Sequence, residues 1–339
     1  MPRIALGCYP LGGGYGGLNE KDARYTVDAA LDSGWRFLDT AETYLDSEER
    51  LGRILQGRRD EIFLATKAFP CETYSYEHLS AALDGSLTRL QTDWVDLYQL
   101  HGPEDWVATF GEKTALDELG DSLTRLRHSG RTLNVGVCNL DAETLVSLSR
   151  RAQLFSTQNL YSLLDRGEED DPAHLPVETE IIPTAKKLGI AFLAFSPLSR
   201  GLLADNLERG RTFRDDDERS SLPRFQPAVY PHYVEVAHSL QAWAADHGRS
   251  LVQLAVAWTL ANPGVTSTLV GAKSAAQVRA ISGAESWLLS ASDLAEIDGI
   301  LSTLHPDAQA AKMIVWDHFR PEFFSRLRDR RYASAGGRQ

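Results

Sequence analysis

The chain of 339 residues is 43% hydrophobic and 24% charged, and its formal net charge is −12 at pH 7. This is the size and composition of one globular domain with a large core, and a negative balance without a basic stripe excludes nucleic acid and anionic membrane as partners. Three scattered cysteines, Cys8, Cys71 and Cys138, exclude a disulfide framework and a zinc site.

The opening Met1-Pro2-Arg3-Ile4-Ala5-Leu6 has no signal-peptide pattern and no apolar run is long enough to cross a bilayer, so a cytoplasmic protein is expected. β-leaning runs at 3–8, 35–39, 61–67, 94–100, 131–138, 154–159, 190–195 and 266–271 predict eight strands. Between the first two lies Gly12-Gly13-Gly14-Tyr15-Gly16-Gly17, read as a flexible loop, then a helix over 20–33 that Asn19 caps and Gly34 stops. Leu79, Leu83, Leu87 and Leu90 share one face of a helix over 77–90, and segment 249–262 is apolar enough to lie against a sheet. Strands alternating with helices imply parallel pairing, and eight is the number at which such a sheet closes. The expected fold is therefore α/β, a single (β/α)8-barrel domain over 1–339. Three additions stand out: a polar connection at 160–180, an insertion at 199–230 and a C-terminal extension at 303–332 with Trp316, Phe319, Phe323 and Phe324. The basic run Arg326–Arg331 reads as a solvated helix end, and residues 333–339 as a frayed tail.

In a closed barrel, chemistry sits where the strands end. Asp39, Lys67 and His101 each close an apolar run, and Tyr44 follows Asp39 in the next loop. Singly, each has a plain structural use as a cap, a packing ring or a loop histidine. Together, at successive strand ends, they predict a site in which titratable groups perturb one another. Lys67 is expected to lower the Tyr44 pKa and make it a general acid near neutral pH, with Asp39 compensating the lysine. His101 would bond a carbonyl oxygen as charge develops there.

These residues carry a resemblance. Asp39-Thr40-Ala41-Glu42-Thr43-Tyr44, Ser47-Glu48-Glu49-Arg50-Leu51-Gly52, Lys67 and Leu97-Tyr98-Gln99-Leu100-His101 resemble the aldo-keto reductase signature and tetrad. The similarity continues through Gly136-Val137-Cys138-Asn139, Gln158-Asn159-Leu160-Tyr161, Ala194-Phe195-Ser196-Pro197-Leu198 and Gly271-Ala272-Lys273-Ser274, in the family's order, to about residue 283. It implies an NADPH-dependent reductase of a small aldehyde or ketone, with the cofactor across the barrel mouth. By the same resemblance Cys8, Tyr9 and Asp39 border the cofactor, Cys138, Asn139 and Gln158 meet the nicotinamide amide, and Phe195 stacks on its ring. Ser196, Pro197, Leu198, Ser199, Gly201 and Leu202 would cradle the pyrophosphate, while Gly271, Lys273, Ser274 and Gln277 would surround the 2′-phosphate, aided by a helix N-terminus. The loop Arg219–Gln226 resembles one in bacterial relatives acting on sugars or small aldehydes, which favours a ketosugar or another polyhydroxylated substrate. Tyr9, Trp106, Phe225 and Trp316 are the candidate pocket walls. No metal is expected, and oligomeric state is not legible.

The sequence also departs from the family. Ala280 and Ile281 stand where Glu-Asn contacts adenine, Cys138 stands where serine is usual, and Leu45-Asp46 follows Tyr44 in place of glycine. The N-terminal hairpin that closes the barrel bottom in many relatives is missing. Three other readings compete. The glycine motif, with Asp39 ending the next strand, suggests an open dinucleotide-binding sheet. Lys67 at a strand end suggests a Schiff-base lyase. A full tetrad is also compatible with a cofactor-sensing regulatory subunit.

Overall fold

The computed structural model describes residues 1–69, 73–102, 112–167 and 175–311. Eight parallel strands close in chain order: β1 Ile4–Gly7, β2 Phe37–Asp39, β3 Phe63–Ala68, β4 Val95–Leu100, β5 Thr132–Cys138, β6 Ser156–Leu160, β7 Ala191–Phe195 and β8 Val265–Gly271. Pairing of β1 with β8, Gly7 opposite Gly271, completes the ring. Closure removes the open-sheet alternative, because a doubly wound sheet leaves its outer strands unpaired.

The helices form where the sequence marks them. Helix Glu20–Asp32 starts at Asn19, whose side chain accepts from the Asp22 amide. Helix Leu251–Ala261 carries a full capping box, with Ser250 and Gln253 exchanging bonds, and nine of its eleven residues are buried.

The alternation of side chains along each strand decides what fills the barrel. Ala5, Phe37, Ala65, Leu97, Leu193 and Leu269 form one apolar cluster, with Phe63, Phe155 and Phe195 packed against it. Phe37 meets Phe63 edge-on at 5.0 Å, and Phe63 stacks on Phe155 at 5.8 Å. These rings lie where β2, β3 and β6 begin, so aromatics plug the bottom of the barrel. Two residues beyond Phe37, Ala65, Leu97 and Leu193 the same inward direction brings Asp39, Lys67, Gln99 and Phe195. The polar layer therefore sits on the apolar one, at the end where the strands finish.

Candidate active site

Asp39 and Lys67 form a buried ion pair in that upper layer. The Lys67 ammonium also donates to the Thr40 carbonyl at 2.9 Å. The other Asp39 oxygen accepts from Gln99 Nε2 at 3.2 Å and Gln158 Nε2 at 3.0 Å. Burial is the largest single influence and works against the ammonium, but the Asp39 carboxylate, Tyr44 and Cys138 together hold the Lys67 pKa above its ordinary value. A fully buried lysine kept protonated and spent on two oxygens is no nucleophile, which removes the Schiff-base reading.

Tyr44 lies above the pair, its ring centroid 4.9 Å from Lys67 Nζ. The expected fall in its pKa is corrected by the structure. Burial pushes it up to about 12, and the Lys67 charge opposes that rise without cancelling it. Tyr44 is thus a neutral donor across the physiological range. His101 meets Tyr44 edge-on at 5.9 Å, and its Nδ1 lies 3.5 Å from Thr43 Oγ1. Burial, helped by the Lys67 charge, lowers its pKa to about 3, so the imidazole is neutral.

That shift has a signed consequence. Between about pH 6.5 and about pH 3 the unfolded chain binds a proton at His101 that the folded chain refuses. The stability this histidine contributes is complete above the upper value and drains away as pH falls through the window. His101→Asn removes the dependence, so the wild-type advantage in melting temperature should shrink on acidification from about pH 7 to about pH 5. A constant offset between the two proteins would contradict it.

Much of the Asp39–Gly52 signature is scaffolding for Tyr44. Ser47 Oγ bonds Thr40 Oγ1 at 2.8 Å and donates to the Cys8 carbonyl at 3.0 Å. Glu42 accepts from the Phe69 amide at 2.6 Å, and Glu48 takes Thr66 Oγ1 at 2.5 Å and Arg89 Nε at 2.6 Å. Arg50 donates to the carbonyls of Leu11 and Leu18, at 2.8 and 2.7 Å. Leu45 has φ 48, the left-handed conformation that glycine adopts readily at that place in the family pattern.

A cavity of about 890 Å³ opens beside this group. Of the expected site residues, Tyr9, Asp39, Tyr44, His101, Asn139, Gln158, Phe195, Ser196, Pro197, Leu198, Gly201, Gly271, Lys273, Ser274 and Gln277 line it. Lys67, Cys8, Cys138, Ser199 and Leu202 are buried and do not. Cys8 points its thiol at the Leu6 carbonyl, 3.4 Å away. Ser196, Ser199, Arg200 and Gly201 all have positive φ, bending the chain after β7 into a concave turn. For the three that are not glycine this conformation costs about 1–3 kcal/mol each. Ala276, Ala280 and Ile281 add an apolar wall.

Phe225, expected as a pocket wall, packs instead against Phe213 at 5.2 Å and Tyr230 at 6.0 Å, because its turn faces the core. Trp106 and Trp316 lie outside the described residues. Ser274 and Gln277 spend their side chains on their own seven-residue helix: Ser274 Oγ accepts from the Gln277 amide, and Gln277 Oε1 from the Lys273 amide. Lys273 Nζ donates to the Tyr15 carbonyl at 2.6 Å and the Gly16 carbonyl at 3.3 Å.

The glycine loop covers the mouth but is tied down. A Cβ on Gly12 would run into the Tyr44 carbonyl, and one on Gly14 into the Tyr9 ring. Those glycines are there for close approach to two tyrosines, and the match to a phosphate-binding fingerprint is coincidental. Across the mouth, Tyr15 bridges Asp217, the Glu218 amide donates to the Gly14 carbonyl at 3.2 Å, and the Glu218 carboxylate accepts from both Tyr9 and Arg200. Sequence reasoning missed Arg200 and Glu218. Arg200 lies among the expected cradle residues Ser196–Leu202 as the one cation in a run of small and apolar residues, whereas Glu218 lies in an acidic stretch that carries no motif.

The aldo/keto reductase family model matches residues 3–302. The chain is 33% identical to the aldo-keto reductase YhdN of Bacillus subtilis over 90% of this chain and 91% of that one. Among solved structures it resembles a glycerol dehydrogenase from Gluconobacter oxydans, at 29% identity, 90% and 93% coverage and TM-score 0.76. It also resembles an aldo-keto reductase from Klebsiella pneumoniae in complex with NADPH, at 26% identity, 93% and 95% coverage and TM-score 0.68. With the eight-stranded barrel and the Asp39–Lys67 pair beneath Tyr44, these likenesses mean that the chain belongs to the aldo/keto reductase family.

Proposed function

We propose that this protein is an NADPH-dependent carbonyl reductase acting on an aldehyde or ketone, with small polyhydroxylated carbonyls as the favoured class. The observation that carries the reading is the assembly of a neutral Tyr44 phenol and a neutral His101 imidazole over one protonated Lys67, at the edge of a dinucleotide-sized cavity. The cavity fits the cofactor on two further counts: the concave turn at Ser196–Gly201, and Arg200 Nε, which is buried with no hydrogen-bond partner among the described residues. Asn139 and Gln158 would hold the nicotinamide amide, Phe195 its ring, and the turn after β7 the pyrophosphate. When bound, the reduced nicotinamide supplies hydride to the carbonyl carbon.

The protein's own residues manage the oxygen. His101 donates a hydrogen bond to it, and Tyr44 Oη gives up its proton as charge accumulates there. An alkoxide is a far stronger base than a phenolate, so the transfer runs downhill even from a phenol whose pKa burial has raised. Lys67 stabilises the phenolate left behind, and Asp39 keeps that lysine in place. For the substrate class, Thr43, Arg200, Glu218 and the Tyr9 hydroxyl offer polar groups at the mouth, in keeping with a resemblance to a glycerol dehydrogenase.

The test is a fluorescence titration with NADPH and, separately, NADH, on wild type and Lys273→Ala. We expect NADPH to bind more tightly, with the substitution weakening NADPH by about tenfold and NADH much less, because a 2′-phosphate would draw the ammonium from the Tyr15 and Gly16 carbonyls. Equal weakening of both would assign Lys273 to the loop alone. Absence of binding by either nucleotide would end the reductase reading.

A further inference from the structure

We infer that Asp165 is a positioning residue for the cofactor cradle after β7, an assignment resting on the reading of Ser196–Leu202 as the pyrophosphate site. Asp165 is buried in the loop that follows β6, away from the cavity wall. One of its oxygens accepts from Ser162 Oγ at 2.8 Å and from Ser199 Oγ at 3.2 Å, and those two hydroxyls lie 2.8 Å apart. The other oxygen pairs with Arg224 Nη1 at 2.7 Å. Arg224 is buried as well, and it donates to the Ala311 carbonyl at 2.8 Å and the Leu164 carbonyl at 3.4 Å. One carboxylate thus joins the loop after β6, the cradle, the insertion and the end of the last described turn.

The cradle needs such a tie. Ser199 and Arg200 are consecutive non-glycine residues at φ 45 and φ 55, a conformation that persists only where the surroundings impose it. Ser199 turns its hydroxyl away from the cavity into the Asp165 cluster, so the strained turn is held from behind. Held in this way, its outward face is preformed, and a pyrophosphate binds without first ordering the loop. Arg224 belongs to the Arg219–Gln226 segment, so that stretch acts on the site through Asp165 and not as a pocket wall.

The experiment compares wild type, Ser199→Ala, Asp165→Leu and the double variant Asp165→Leu/Arg224→Met, reading the NADPH dissociation constant by fluorescence and the melting temperature. Ser199→Ala keeps the ion pair and should weaken NADPH by about tenfold at an unchanged melting temperature. Asp165→Leu should lower both, since it strands a buried guanidinium. The double variant removes that stranded charge and should recover the melting temperature but not the affinity. In Ser199→Ala the KM for NADPH should rise by a larger factor than kcat falls, the split expected of a displaced cradle and not of a lost catalytic group. Recovery of affinity together with stability, or unchanged affinity in Ser199→Ala, would make Asp165 a structural residue only. Should wild type itself not bind NADPH, the cradle reading falls and the positioning role falls with it.

Discussion

Tyr44→Phe is expected to bind NADPH as wild type does and to lose about 10²- to 10⁴-fold in carbonyl-reducing turnover, the usual contribution of a positioned general acid. The substitution removes one oxygen and leaves the packing that places the ring, edge-on to Tyr9 at 5.0 Å and to His101 at 5.9 Å. Because burial holds the phenol protonated up to about pH 12, wild-type reduction should show no loss from Tyr44 ionisation between about pH 6 and about pH 9. Steady-state kinetics with a panel of aldehydes measures both. Turnover preserved in Tyr44→Phe would transfer the proton-donor role elsewhere, and His101 would be the next group to test.

Lys67→Met should be more damaging to the protein as a whole. Among the described residues it leaves the buried Asp39 carboxylate with Gln99 and Gln158 as its side-chain donors, and breaking such a pair from one side costs about 3–5 kcal/mol. Thermal denaturation should show a fall of several degrees, and turnover should collapse, since a phenolate forming at Tyr44 would have no cation beside it. Adding Asp39→Asn removes the stranded charge. That double variant should regain most of the melting temperature and none of the turnover. Recovery of activity along with stability would mean that Lys67 supports the fold and does not act on Tyr44.

The sequence by itself determined the barrel, because its informative signals are local. Asn19 before a helix, a leucine stripe at 79–90 and apolar runs ending in Asp39, Lys67 and His101 each act over a few residues, and all eight strands form where those runs lie. The inward placing of Asp39 and Lys67 follows the same local rule, a period of two from Phe37 to Asp39 and from Ala65 to Lys67, whereas the tetrad as a set was legible only through the resemblance to the aldo-keto reductase family. Only the tertiary structure decided what depends on distant neighbours. It set the direction of the Tyr44 pKa, since burial and a nearby cation oppose each other and burial, the larger here, is a property of the packed site. It gave the glycine loop its meaning, since the tyrosines that Gly12 and Gly14 must approach are set by the fold as a whole. It also turned Phe225 into the core, engaged Lys273 with the Tyr15 and Gly16 carbonyls, and joined Asp165 to Ser199 and Arg224 across 34 and 59 residues of chain. A buried carboxylate looks like any surface aspartate in a sequence, and only packing that excludes water makes its partners matter.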